Sequence, residues 1–291
     1  MFIRSPIAQG FYPETGGVCK VAVQRHLDNC SSIHPGTRKT SVVAGIVPHA
    51  GWTYSGDTAA AVFRTINRLS SVPDVFVLFG SVHVMGVGRP AIMREGSWKT
   101  PLGEIEIDGD LAGEILKSAG DIVEENAQGH LMEHSLEVQL PFIQYLYPEA
   151  RIVPVMVPPT AQAHVLGERV AALVKDRDGS IMTVGTSDLT HYGQRYAFKN
   201  HGTGRKALEW VKNENDKRII DLCLKMAAEE IVPEATKNLN ACGGGAMAAT
   251  VAYARALGVK EGELLHYTTS YDVLPEDEEP SDFVGYAGIV F

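Results

Sequence analysis

Long apolar runs are absent from this chain. No stretch approaches the ~18 consecutive apolar residues of a membrane-spanning helix, so none is expected. Basic clusters are absent too: 26 Lys and Arg face 35 Asp and Glu, a net charge of −9. Nucleic acid and anionic membrane surfaces are therefore poor partners. Met1-Phe2-Ile3-Arg4-Ser5-Pro6 lacks the basic-then-apolar order of a secretory signal. Cysteine is sparse, at positions 19, 30, 223 and 242, with no C-x-x-C pair and no framework spacing. That usage fits a reducing compartment, and the cytoplasm is the expected location.

Several catalytic signatures are missing as well. Gly243-Gly244-Gly245 lacks the Lys-Ser/Thr of a phosphate-binding loop, and no G-x-G-x-x-G follows a strand pattern. No G-x-S-x-G elbow is present, which argues against an α/β-hydrolase. No H-E-x-x-H is present, which argues against a zinc protease of that type.

What is there is an alternation of short apolar runs with longer amphipathic segments. Residues 41–47, 74–79, 151–157 and 180–184 read as buried strands, and 264–270 and 284–291 as late ones. Pro154 suits an edge or a bulge. A helix capped by Ser55 or Asp57 is predicted to run to about Leu69. Further helical patterns cover 110–118, 134–147, 161–175, 205–227 and 244–257, the second bending or starting late at Pro141. This predicts one α/β domain over 1–291, a mostly parallel central sheet flanked by helices. The acidic run 275–282 reads as a solvated loop.

In such sheets, functional groups gather past the carboxyl ends of strands. Here His49, His83 and the segment Thr186-Ser187-Asp188-Leu189-Thr190-His191-Tyr192 each follow a predicted strand. Imidazole is the commonest metal ligand and the usual general base, so three such histidines predict one pocket. Cys242 precedes an Ala-rich helix, whose N-terminus favours the thiolate that binds metal or attacks an electrophile. The neighbouring glycines would let backbone approach a ligand closely. Cys223 reads as core, Cys19 and Cys30 as incidental, with a surface disulfide open to them on oxidation. Glu133 and His134 either point into the cleft, as supporting partner or proton donor, or cap the helix that follows.

The residues resemble the Memo family, also described as the B component of the AmmeMemoRadiSam system. The resemblance rests on Arg4-Ser5-Pro6, Gly10-Phe11-Tyr12-Pro13, Val47-Pro48-His49-Ala50-Gly51-Trp52-Thr53-Tyr54-Ser55-Gly56, Gly80-Ser81-Val82-His83, Glu133-His134-Ser135-Leu136-Glu137, Ser187-Asp188-Leu189-Thr190-His191-Tyr192 and Ala241-Cys242-Gly243. It implies a fold similar to class III extradiol dioxygenases, which use non-haem Fe(II). It implies metal ligands at His49, His83 and Cys242, with the cysteine where the dioxygenases carry a carboxylate. It also implies an acid/base role for His191, oriented by Asp188.

A thiolate in place of a carboxylate softens the site toward Fe, Cu(I) or Zn. The resulting expectation is a metal-dependent redox enzyme, Fe(II) first, acting on a small organic substrate. Glu133 and His134 join the catalytic set, and Trp52, Tyr54 and Tyr192 shape the pocket. The competing expectations are a metal- or peptide-binding protein without turnover, and nucleophilic chemistry by Cys242 with a histidine base. Oligomeric state is left open by the sequence.

Overall fold

The computed structural model describes residues 2–33, 37–175, 177, 179–275 and 279–291. The middle of the predicted acidic loop, 276–278, lies outside the described residues. The main sheet has nine strands among these residues. Its order runs His191–Tyr192, Phe283–Val290, Ala44–Val47, Ile181–Thr186, Val75–Gly80, Arg151–Met156, Ala91–Ile92 and Glu124–Glu125, with Glu263–Thr269 on the other side of Phe283–Val290. The four central strands are mutually parallel. Phe283–Val290 and Ala91–Ile92 flank them in the antiparallel sense. The predicted α/β sheet is present, and its parallel part is the part that carries the strand-end loops.

The central strands are apolar throughout because both of their faces are covered. In Val75–Gly80, side chains alternate: Val75, Val77 and Phe79 enter one core, and Phe76 and Leu78 enter the other. The first core receives the helices Gly109–Ala119, Ala163–Val174 and Gly244–Ala256. The second receives Gly16–Ile33, Trp52–Leu69 and Leu140–Leu146. Gly167 lets Ala163–Val174 lie directly on the Ala-rich helix; a Cβ there would meet the Ala249 carbonyl at 1.9 Å.

Several boundaries differ from the sequence expectation for physical reasons. The helix ending at Leu69 starts at Trp52, and Ser55 caps nothing: its hydroxyl donates back to the Ala50 carbonyl at 2.9 Å. Pro154 is inside Arg151–Met156, not at an edge. Its carbonyl accepts from Met93 on the flank where the two-residue strand Ala91–Ile92 pairs, so its missing N–H interrupts no long ladder. The α-helix near Pro141 starts at Leu140, after a 3₁₀ turn over Glu137–Gln139. The predicted 205–227 helix is continuous over 205–224, with a π-turn over Val211–Asn215 between Arg205–Trp210 and Asp216–Leu224. Cys19 and Cys30 are buried free thiols, which removes the surface disulfide, and Cys223 is core as expected. Two further helices lie outside the predicted ones: Gly16–Ile33, along which polar and apolar residues mix, and Ala228–Asn238, which carries Pro233 in its interior.

Candidate metal centre

Three adjacent parallel strands deliver the site. Ala44–Val47, Ile181–Thr186 and Val75–Gly80 are neighbours in the sheet, so the loops after them converge. His49 is 2% exposed and its Nε2 lies 3.2 Å from Cys242 Sγ. The His83 ring lies close enough to the same sulfur for each to shift the charge of the other. The His49 and His83 rings are 5.2 Å apart, centroid to centroid, and His134 is 4.8 Å from His83. His49, His83 and His134 each offer a ring nitrogen, all within 4.8 Å of one another. These three imidazoles form a nitrogen donor set able to hold a divalent metal ion, with the Cys242 thiol beside His49.

The thiol's placement depends on the glycine after it. A Cβ on Gly243 would meet the Thr186 carbonyl at 2.2 Å, so only glycine lets the Cys242 turn lie on the strand end. The Gly243 amide donates to Ser187 Oγ at 2.9 Å, and the Cys242 amide to the Asp188 carbonyl at 3.2 Å. The glycine run therefore brings backbone against backbone. The close approach foreseen toward a ligand is made within the fold.

Both ligand-type rings are fixed from behind. His49 Nδ1 faces Thr186 Oγ1 at 3.1 Å, which leaves Nε2 for the sulfur. His83 Nδ1 faces Glu133 Oε1 at 3.0 Å, and the His83 amide donates to Glu133 Oε2 at 2.5 Å. Carboxylate backing of this kind sets the tautomer and basicity of a metal-binding histidine. Glu133 is fully buried, and its loop is tied down by Arg4. Arg4 donates to the carbonyls of His130 and Glu133 at 2.6 and 2.8 Å and to Glu137 Oε2 at 2.6 Å. Its guanidinium also lies 4.0 Å from the Trp98 ring centroid. Arg4, Glu137 and Thr186 escaped the sequence reading as site residues. All three lie inside the motifs and strand-end segments named from the sequence, but their partners are far away in the chain.

Charge follows from this packing. Burial disfavours the Glu133 carboxylate, but the hydrogen bonds from His83 and Ser135 prevail and hold it near about 2. It is ionised at neutral pH and accepts from the His83 amide. Glu133→Gln keeps the volume and loses the charge. A 10–100-fold loss of metal affinity is expected, read by competition with a chromophoric chelator. Burial pushes His134 down to about 4, with the His83 charge adding to the effect, and pushes His49 down as well.

Burial would raise the Cys242 thiol, yet the His49 and His83 rings bring it from 9.0 to about 6. Burial would lower His83, yet Cys242 and Glu133 raise it from 6.5 to about 10. The metal-free pair is thus thiolate–imidazolium between about pH 6 and 10. Cys242, depressed on folding, adds stability above its unfolded value and loses it as pH falls through about 6. His83, raised on folding, adds stability below 6.5 and loses it as pH rises through about 10. Thiolate absorbance of the chelator-treated protein should rise through about pH 6 and shift to higher pH in His83→Ala. A thiol titrating near the ordinary 9.0 would contradict this.

The remaining predicted residues divide. His191 lies beside the cluster's loop, its Nδ1 at 3.0 Å from its own loop's Leu189 carbonyl and its ring 5.0 Å from Tyr196. Asp188 does not hydrogen-bond that ring. Its Oδ1 accepts from the amides of His49 and Ala50 at 2.8 and 3.2 Å, fixing the His49 turn. Burial raises Asp188, and the charge of His191 opposes that. Tyr54 lines a cavity of about 230 Å³ together with Tyr196, Tyr286 and Arg195. Trp52 does not line it: it is core, 4.6 Å from Phe142, with Nε1 donating to the Val138 carbonyl. Tyr192 is also core, stacked on Phe283 with its hydroxyl on the Gly202 carbonyl. Both aromatic rings are packed on all sides, which their sequence positions beside the histidines did not reveal.

Asp216 holds the His191 segment from the far side. It is fully buried and accepts from the Thr190 amide at 3.0 Å and the Tyr267 hydroxyl at 2.7 Å. Burial raises its carboxyl to about 6. The π-turn immediately before it sets Asn215 and Asp216 side by side at Thr190. Such turns are common where a helix must present residues to a functional segment.

A parallel-centred α/β sheet with an imidazole–thiol cluster at its strand ends is the class that fold and site define. The profile of the Memo-like protein family matches residues 5–290. A MEMO1 family protein of Thermococcus onnurineus is 36% identical over 298 residues, covering 99% of each chain. One of Thermococcus kodakarensis is 38% identical over 258 residues, covering 86% of this chain and 87% of that one. The solved structure of the uncharacterized protein JW3007 from Escherichia coli K12 covers 86% of this chain and 100% of its own, at 12% identity and a TM-score of 0.47. The chain belongs to the Memo-like family.

Proposed function

We propose that the chain is a metal-dependent redox protein acting on a small organic substrate, with His49, His83 and Cys242 as ligands and Fe(II) as the favoured ion. The observation that supports it most directly is the 3.2 Å approach of Cys242 Sγ to His49 Nε2, with the His83 ring across from His49 at 5.2 Å between centroids. His134 offers a third imidazole nitrogen beside those of His49 and His83. Fe(II) is favoured by the resemblance to extradiol dioxygenases, and copper and zinc follow by donor softness. When bound, the metal supplies Lewis-acid and redox chemistry. The chain's own residues hold it, keep Cys242 anionic and place proton carriers nearby.

His191 is the proton-transfer group in this reading. The Leu189 carbonyl holds one ring nitrogen, leaving the other for substrate. The cavity walled by Tyr54 and Tyr196 begins at the ring that His191 contacts, and a small molecule bound there would lie beside His191. A cytoplasmic setting fits four free thiols.

A second reading has its own observation: a thiolate beside an imidazole is also the arrangement of a cysteine nucleophile with its base. One set of measurements separates the two. Anaerobically purified protein should carry stoichiometric metal by elemental analysis, and the loaded form should resist alkylation of Cys242 that the chelated form undergoes. His191→Ala should keep the metal and lose oxygen consumption with catechol-like substrates. Absence of metal together with rapid alkylation in every state would leave the nucleophile reading. Metal without turnover on any substrate would leave a binding protein.

A further inference from the structure

A second cavity, of about 90 Å³, lies between the helices Gly16–Ile33 and Trp52–Leu69 and the segment around residues 37–39. Its polar wall is unusual for a chain of net charge −9: Lys39, Arg64 and Arg68 all line it, and no carboxylate does. None of the three forms an ion pair among the described residues. Arg64 and Arg68 are four apart on one helix, an arrangement that repels.

Backbone carbonyls hold Lys39 and Arg64 in place without neutralising them. Lys39 Nζ donates to the Glu261 carbonyl at 2.5 Å, and Arg64 Nη1 to the Leu27 carbonyl at 3.1 Å. Glu263, the carboxylate close by, accepts from Thr37 Oγ1 and the Arg38 amide. A guanidinium carries five donors, so Arg64 and Arg68 keep N–H groups for a further acceptor. The space is that of about three waters, the size of one tetrahedral oxyanion.

We propose that this cavity binds a dianionic tetrahedral oxyanion, either inorganic phosphate or the phosphate of a small monoester. Lys39 would supply a point charge, and Arg64 and Arg68 planar donor pairs. It is a site separate from the metal centre. Trp52 starts its helix beside His49, whereas Arg68 is sixteen residues further on, about 24 Å along the axis. An anion here would join the first two long helices to the 37–39 segment by charge.

The test uses the full chain, chelator-treated, with titration calorimetry at constant ionic strength. Inorganic phosphate should bind saturably at one per chain, and Arg68→Gln and Lys39→Gln should each weaken it tenfold or more. Both side chains are at least partly exposed, so the variants should fold, as circular dichroism would verify. His83→Ala should bind phosphate like the parent, which separates this site from the metal centre. Phenyl phosphate is the second arm: tighter binding than phosphate assigns the site to a monoester, and binding of phosphate alone assigns it to the free ion. No saturable heat at millimolar phosphate, unchanged affinity in both charge variants, or an equal response to chloride at matched ionic strength would overturn the proposal.

Discussion

His83→Ala should lower metal affinity by more than about 100-fold while leaving the protein folded. Loss of a supporting partner alone typically costs 10–100-fold, and a direct donor costs more. His83 is the better target of the two histidines on the strand ends. Its side chain is one-third exposed, and Glu133 retains the amides of His83 and Ser135 when the ring is removed. A stability change within about 1–2 kcal/mol follows for a loop position of this kind. His49 is fully enclosed between Thr186 and Cys242, so its removal adds a cavity and mixes folding with binding. Metal content by elemental analysis and urea unfolding on the same preparations check both parts. Full occupancy in His83→Ala would remove His83 from the ligand set.

Arg4→Met should destabilise the chain by about 3–5 kcal/mol, the range for stripping one partner from a buried ion pair. Arg4 and Glu137 are 1% and 0% exposed, so the carboxylate has no route to water when the guanidinium goes. Glu137 would keep the amides of Ile7 and Ala8 and the Tyr12 hydroxyl. The carbonyls of His130 and Glu133 would lose their shared donor. The second effect is on the site, because that donor anchors the loop bearing Glu133 and His134. Metal affinity should therefore fall even though Arg4 touches no ligand nitrogen. Arg4→Met with Glu137→Gln should recover part of the stability, since the uncompensated charge is the dominant cost. Urea midpoints of the single and double variants decide this, and a single-variant loss below about 1 kcal/mol would contradict it.

The sheet was legible in the sequence because its central strands are continuous apolar runs, a pattern that only two-sided burial explains. Its antiparallel flanks were less so: Ala91–Ile92 and His191–Tyr192 are two residues long, too short for any periodicity. The helix Gly16–Ile33 was missed because polar and apolar residues mix along it. The site was legible where a histidine follows a strand, as at His49 and His83. It was misread where an aromatic neighbour of those histidines points the other way. Trp52 and Tyr192 share their loops with His49 and His191, yet pack in the core.

The sequence by itself determined the α/β class, the family and the strand-end positions of His49 and His83, because these depend on residue type and on position relative to strands. Only the tertiary structure decided that Asp188 holds the His49 turn, that Glu133 backs His83, and that His134 joins the cluster. Those pairings bridge 139 positions for Asp188–His49 and 50 for Glu133–His83, and no local pattern encodes a contact at such separation. They are fixed by strand order and by the direction in which each loop leaves its strand.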